Sequence, residues 1–213
     1  MIEKLSDDQI DLIVESTLKH YDTTAEDFWE SSKGHNIEQN YNAFLSAMPS
    51  DKQLKILDMG CGPGRDLRYF KEQGHEVVGL EGSEIFCEMA KKYAECEVLQ
   101  QNFLRLDLPS NEFDGVFANA VLFHVPPQEL AQVLRNIWAT LKDGGIFFSS
   151  NPRKPHVVWY QEHPGTYLEF DPFQAKLDVA GFQVIDHYYR PPGVPREEQF
   201  WIAVTSRKMG AKH

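Results

Sequence analysis

Apolar residues along this chain recur with two different periods, and the change from one to the other divides it. Near the amino terminus Ile10, Ile13, Val14 and Leu18 fall at three- and four-residue spacing, the repeat of a helix with one buried face. Ser6 precedes that stripe with Gln9 three residues on, a pairing that caps a helix start reciprocally. Helix is expected from about Ser6 to Met48, interrupted at 21–24 and again near Gly34. From Leu54 onward, short apolar runs alternate with amphipathic stretches. Strands are expected at 55–59, 76–80, 97–100, 113–118, 146–150, 183–189 and 200–205, with helices at 65–72, 84–92, 127–141 and 172–179. Asp171 before Pro172 reads as a capped helix start, and Gly74 and Gly181 stand where helices should end.

Strands that are apolar without alternation belong in a sheet covered on both faces, which is the habit of parallel α/β sheets. Only the loop 190–199 separates the last two strands, too little for a crossover helix, so they should pair antiparallel. The expectation is an α/β fold, with a seven-stranded, mostly parallel sheet ending in an antiparallel hairpin. Residues 1–50 would form an N-terminal helical cap over the active site, and residues 51–213 the sheet domain, as one structural unit.

Composition narrows the partners. The 213 residues suffice for one well-buried domain, and a formal charge of −11 without a basic cluster argues against a nucleic-acid partner. No apolar run approaches the ~18 residues a membrane span needs, and the first residues lack the pattern of a secretory signal. Cys61, Cys87 and Cys96 offer neither a disulfide framework nor zinc-ligand spacing, so no metal is expected and a cytoplasmic setting fits.

The sharpest motif is Asp58-Met59-Gly60-Cys61-Gly62-Pro63-Gly64, directly after the first strand. Glycines allow a tight turn and let backbone approach a ligand that a Cβ would block. The helix starting near Arg65 aims free N–H groups at whatever lies in the loop. The next strand ends in Glu81-Gly82-Ser83, about 20 residues on, where an acid accepts hydrogen bonds from ribose hydroxyls.

The acid–x–G–x–G–x–G loop, Glu81, the Gln101-Asn102-Phe103 turn, the strand from Phe113 to Ala120 and the turn Asp143-Gly144-Gly145 follow one another in an order that resembles the Rossmann-like class I methyltransferases. The resemblance implies S-adenosylmethionine as cofactor, S-adenosylhomocysteine as its product, and a small-molecule acceptor. It implies that Asp58, Gly60, Gly62, Gly64 and Arg65 line the amino-acid part of the cofactor and that Glu81 and Gly82 hold the ribose. Phe86, Asn102 and Phe103 would meet the adenine, with Asn102 where relatives often carry Asp. Asn119 and Ala120 would stand at the methyl end, and Tyr21 would close over the carboxylate. Met89 reads better as core. His124 faces either the ligands or the interior.

Tyr21–Glu30, Asn119–Pro126, the Asn151-Pro152-Arg153 turn and the Tyr188-Tyr189-Arg190-Pro191-Pro192-Gly193 stretch resemble one subgroup, the methyltransferase module of ovothiol biosynthesis. That implies methylation of an imidazole nitrogen of 5-thiohistidine, with a separate sulfoxide synthase in the same pathway and a monomer or homodimer as the assembly. Asn119, His124, Asn151 and Arg153 are then candidates for the catalytic set. Phe28, Trp29, Phe123, Arg153, Tyr189 and Arg190 are candidates for acceptor contacts, either arginine suiting a carboxylate. Residues 154–160 depart from the subgroup's glycine- and asparagine-rich pattern. The alternatives are the same fold acting on another phenol, thiol or amine, or a cofactor-binding regulator without catalysis.

Overall fold

A computed structural model describes residues 4–153, 165–167 and 169–210, so the 154–160 departure lies outside the described residues. At its centre is a sheet of β1 (Lys55–Met59), β2 (Glu76–Glu81), β3 (Glu97–Gln100), β4 (Phe113–Asn119), β5 (Leu141–Pro152), β6 (Phe182–Arg190) and β7 (Trp201–Lys208). The strand order is β3-β2-β1-β4-β5-β7-β6. β1 to β5 run parallel, while β7 is antiparallel to both β5 and β6, so the expected hairpin forms the sheet edge.

Both faces are covered, which explains the unalternating apolar strands. Ile56, Phe117 and Phe148 pack on one face against Phe44 of α3 (Glu38–Leu45) and Phe70 of α4 (Arg65–Glu72). Their neighbours Leu57, Val116 and Phe147 turn to the other face, toward α6 (Leu130–Thr140) and α7 (Phe170–Val179). Each such side chain contributes roughly 1.5–3 kcal/mol by leaving water. On the first face Phe117 and Phe148 stack with centroids 4.9 Å apart.

The amino-terminal segment forms α1 (Asp7–Thr23), α2 (Ala25–Ser32) and α3, and Ser6 and Gln9 make the reciprocal cap. α5 (Glu84–Ala94) follows β2, capped by the Ser83 side chain. Gly74 and Gly181 terminate helices with φ of 88° and 91°, a conformation that favours glycine.

Of the expected boundaries that shift, three are informative. α6 starts only at Leu130, because 127–129 form a turn in which the Glu129 and Leu130 N–H groups both donate to the Pro126 carbonyl. β5 begins at Leu141, which pairs with Phe113 before the strand passes Gly144 at φ 74°. Asp171 does not cap α7: Glu169 precedes the helix, and Asp171 and Pro172 lie inside its first turn, where an acid is favoured and a missing N–H costs nothing.

β6 carries one irregularity that matters below. Its register against β7 slips between Val184 and Asp186, an inserted residue that reverses which face each later side chain occupies. Phe182 and Val184 pack toward α7, and beyond the slip Tyr189 takes that face while Tyr188 turns to the α3 side.

Candidate active site

One edge of the sheet opens into a cavity of about 710 Å³, within the ~300–1,000 Å³ usual for small-molecule sites. Gly60 after β1, Glu81 at the end of β2, Asn119 at the end of β4, Ser150 in β5, Arg190 at the end of β6 and Trp201 at the start of β7 all line it. The cavity therefore lies outside the carboxyl ends of the parallel strands, astride the point between β1 and β4 where the chain reverses its direction of growth.

The glycine loop forms one end. Gly60 has φ 71° and its N–H donates to the Leu80 carbonyl at 2.7 Å; a Cβ there would collide with Val121. Gly62 has φ 51°, and a Cβ would project toward the cavity, meeting only Phe28 at 3.9 Å. Glu81 ties this loop to β2: Oε2 accepts from the Gly62 N–H at 3.0 Å, and Oε1 from the N–H groups of Gly82 at 2.7 Å and Ser83 at 2.9 Å. Burial pushes the Glu81 carboxyl up, and those three donors oppose the push. Gly64, at φ 98°, caps α4 with no side-chain bond.

α1 and α2 roof the same end. Asp22 accepts from the Ser83 hydroxyl at 2.5 Å, joining the end of α1 to the start of α5. Tyr21 packs against Phe28, Phe86 and His124, with ring centroids 5.5–5.6 Å apart. A 3.0 Å hydrogen bond joins the Tyr21 hydroxyl to His124 Nε2. Burial, then the Glu81 charge, push the Tyr21 phenol up to about 12. Burial, then His20, bring the His124 imidazole down to about 4, so it is neutral at ordinary pH. Asn102 and Phe103 lie on the wall beside Gly82, where Asn102 Oδ1 accepts from the Leu104 N–H at 2.9 Å.

Behind the middle and far wall lies a polar network drawn from distant sequence. Asn40, fully buried on α3, donates through Nδ2 to Asn119 Oδ1 at 2.9 Å. Its Oδ1 accepts from the Tyr188 hydroxyl at 2.8 Å and from Arg190 Nη1 at 3.1 Å. Asn119 Nδ2 reaches Asp66 at 3.4 Å, and Asp66 also accepts from the Tyr41 hydroxyl at 2.7 Å and from Arg65 Nε at 2.7 Å. Ala120, at φ 59°, donates its N–H to the Ser150 carbonyl at 2.7 Å.

Most of the expected site residues meet here. Tyr21, Phe28, Trp29, Gly60, Gly62, Arg65, Glu81, Gly82, Phe86, Asn102, Phe103, Asn119, Ala120, Phe123, His124 and Arg190 all line the cavity. Five do not, which corrects their expected placement. Asp58 is 1% exposed beneath the loop, held by the Leu67 N–H; burial, then Asp66, raise its carboxyl well above the usual range. Gly64 serves packing, since a Cβ there would lie 2.9 Å from the Ala90 Cα. Arg153 is spent internally on Glu169 at 2.9 Å and on the carbonyls of Arg196 and Gln199. Tyr189 packs beneath Arg153 and Arg196, turned away by the slip in β6. Asn151 borders a separate small void with Leu122, Phe123 and Thr166. Met89 is half-buried and off the cavity, and it belongs to neither core cluster.

Asn40, Tyr41, Asp66, Tyr188 and Trp201 were not anticipated. Only Asp66, in the first turn after the glycine loop, and Tyr188, in the stretch that carries the subgroup resemblance, had a local signal. Among the described residues no cluster of three or more His, Cys, Asp or Glu is placed to hold a metal, and no helix is long and apolar enough to cross a membrane.

Residues 56–145 match the profile of the methyltransferase domain family. Over 104 residues the chain is 36% identical to the sterol 24-C-methyltransferase erg6 of Aspergillus fumigatus, covering 44% of this chain and 26% of that protein. Over 121 residues it is 29% identical to the carboxy-S-adenosyl-L-methionine synthase of Campylobacter concisus, covering 54% and 52%. The chain thus spans about a quarter to a half of these relatives' length. Burkholderia thailandensis 1,6-didemethyltoxoflavin-N1-methyltransferase, solved with 1,6-didemethyltoxoflavin and S-adenosylhomocysteine bound, superposes with a TM-score of 0.79 over 99% of this chain and 93% of its own, at 21% identity. The fold is the Rossmann-like methyltransferase fold over nearly the whole chain.

Proposed function

We propose that this chain is an S-adenosylmethionine-dependent small-molecule N-methyltransferase whose acceptor is an imidazole nitrogen of 5-thiohistidine. The observation that carries the methyl-transfer reading is the single cavity running from the glycine loop and Glu81 to Asn119, His124 and Arg190. The residues at the loop end fit the cofactor. Gly60 and Gly62 leave the backbone bare, α4 begins without a side-chain cap, and the Glu81 carboxylate stands on the cavity wall. Glu81 would take the ribose hydroxyls, Phe86 and Phe103 would face the adenine, and Arg65 with the loop N–H groups would meet the amino-acid end.

When bound, S-adenosylmethionine supplies a methyl group already electrophilic on its sulfonium. The protein's work is then alignment, which is worth several kcal/mol when reacting atoms are held in line. Asn119 and Ala120 fix the floor where the parallel strands end. Tyr21, Phe28 and Phe86 exclude water, and residues 1–50 act as the cap that brings Tyr21 and Phe28 into place. His124, neutral at ordinary pH, brings no positive charge to the wall beside a cationic donor. A base is not required, since the acceptor nitrogen needs only a free lone pair.

Two considerations favour a ring nitrogen. The subgroup motifs at 119–126 and 188–193 resemble the ovothiol-pathway methyltransferase, and the Burkholderia enzyme, by its name, methylates N1 of its own acceptor. A separate sulfoxide synthase would form the ring's carbon–sulfur bond earlier in the same pathway. Calorimetric titration with S-adenosylhomocysteine, followed by methyl transfer to 5-thiohistidine, histidine and a catechol, tests both levels. Binding with selective methylation of 5-thiohistidine is expected. Absence of binding would refute the methyltransferase reading, binding with transfer only to the catechol would refute the ring-nitrogen assignment, and transfer only to histidine would refute the thiolated acceptor alone.

A further inference from the structure

The cavity wall can be balanced charge by charge. Arg65 is neutralised by the adjacent Asp66, with contacts of 2.7 and 3.2 Å, and also donates to the Ser32 carbonyl. Glu81 is held by three backbone N–H groups at the loop end. Arg190 differs from both. Its two hydrogen bonds, to Asn40 Oδ1 at 3.1 Å and the Asn36 carbonyl at 3.1 Å, go to neutral acceptors, and no ion pair joins it to a carboxylate among the described residues. A guanidinium has five N–H donors, so Arg190 presents an uncompensated charge and spare donors to the cavity it lines.

We infer that the β6 end of the cavity is an anion-recognising acceptor subsite, in which Arg190 takes the carboxylate of the molecule to be methylated and buried Asn40 positions that guanidinium. The inference rests on the methyltransferase reading and names the acceptor's class within it: a flat ring bearing a carboxylate.

Asn40 is what makes the subsite more than a surface arginine. It has no exposure, and its amide is fully engaged, with Nδ2 on Asn119 and Oδ1 shared by Tyr188 and Arg190. One buried amide therefore fixes Arg190 and, 79 residues along the chain, the tip of β4. Neutrality of this hub is essential. A carboxylate at position 40 would satisfy the same two donors and quench the charge, while leaving Asn119 Oδ1 without its donor. The ring's place lies beside Arg190, where Trp201, Pro191 and Ile37 give the wall an apolar surface suited to a flat heterocycle.

The test uses the protein loaded with S-adenosylhomocysteine and measures binding of 5-thiohistidine and of its decarboxylated amine. The parent should favour the carboxylate-bearing compound by about tenfold or more, the scale of a hydrogen bond to a charged group. Arg190→Gln and Asn40→Asp should both abolish that preference, and Arg190→Lys should restore part of it. S-adenosylhomocysteine affinity in Arg190→Gln should stay at the parent's, and melting curves identify any variant that fails to fold. Arg190→Gln is the sharper variant, because Asn40→Asp also takes the Nδ2 donor away from Asn119 Oδ1. Equal affinity of the parent for the two compounds, or a preference that survives Arg190→Gln, overturns the subsite while leaving cofactor binding intact. Failure of S-adenosylhomocysteine to bind the parent overturns the methyltransferase reading itself.

Discussion

The two ends of the cavity are built in opposite ways. At the loop end, Gly60 to Arg65 and Glu81 to Ser83 are short consecutive runs in which backbone N–H groups and one carboxylate do the organising. At the β6 end, Asn40, Asn119, Tyr188 and Arg190 come from three distant parts of the chain and are joined side chain to side chain. A ligand common to many proteins can be held by backbone geometry that any side-chain background tolerates. A ligand peculiar to one protein has to be read by side chains, and their positions depend on how the whole fold closes.

The most severe way to break the loop end is Gly62→Val, since position 62 has φ 51° and a side chain would enter the cavity. Calorimetry should detect no S-adenosylhomocysteine binding; parent affinity would remove the loop from the site. Next comes acidification. An unfolded imidazole protonates near pH 6.5 whereas that of His124 waits until about 4, so the unfolded chain binds the proton first and stability falls as pH drops from about 6.5 toward 4. The loss should reach about 2–3 kcal/mol and be absent above pH 7. Urea unfolding of the parent and His124→Gln across that window checks it, because the variant should lack this part of the slope.

Glu81→Ala should weaken S-adenosylhomocysteine binding by roughly 1.5–3 kcal/mol, through the ribose and through loosening of Gly62, while the carboxylate preference of the acceptor end persists. The smallest effect separates the two arginines. Arg153→Gln should lower stability by about 1–2 kcal/mol by stranding Glu169, with acceptor KM unchanged in steady-state assays, because its guanidinium never reaches the cavity. A raised KM in that variant would mean the acceptor end extends beyond Arg190.

This contrast also explains what could be read from the residues in order. The alternation of apolar runs, the glycine loop and Glu81 are local patterns, and they led to the sheet, its hairpin and most of the cavity wall. Asn40 and Tyr41 sit in an unremarkable helical stretch, and nothing in their neighbourhood marks them as partners of residues far along the chain. Tyr188 and Tyr189 show the physical obstacle most clearly. Simple alternation from Phe182 would turn Tyr189 toward Asn40, but the inserted residue near Ile185 exchanges the two faces. Arg153 and Arg190 are equally plausible as carboxylate partners until Glu169 is seen to occupy the first. Asp58 likewise looks like a ligand in its motif and proves to be a buried support.

The most direct measurement is transfer of a deuterium-labelled methyl group from S-adenosylmethionine to 5-thiohistidine, with the product's labelled position read by mass spectrometry and NMR. The label on a ring nitrogen, at a rate well above that for histidine or a catechol, is the predicted result. A protein that binds S-adenosylhomocysteine yet leaves every ring nitrogen unlabelled would contradict the proposed N-methyltransferase function.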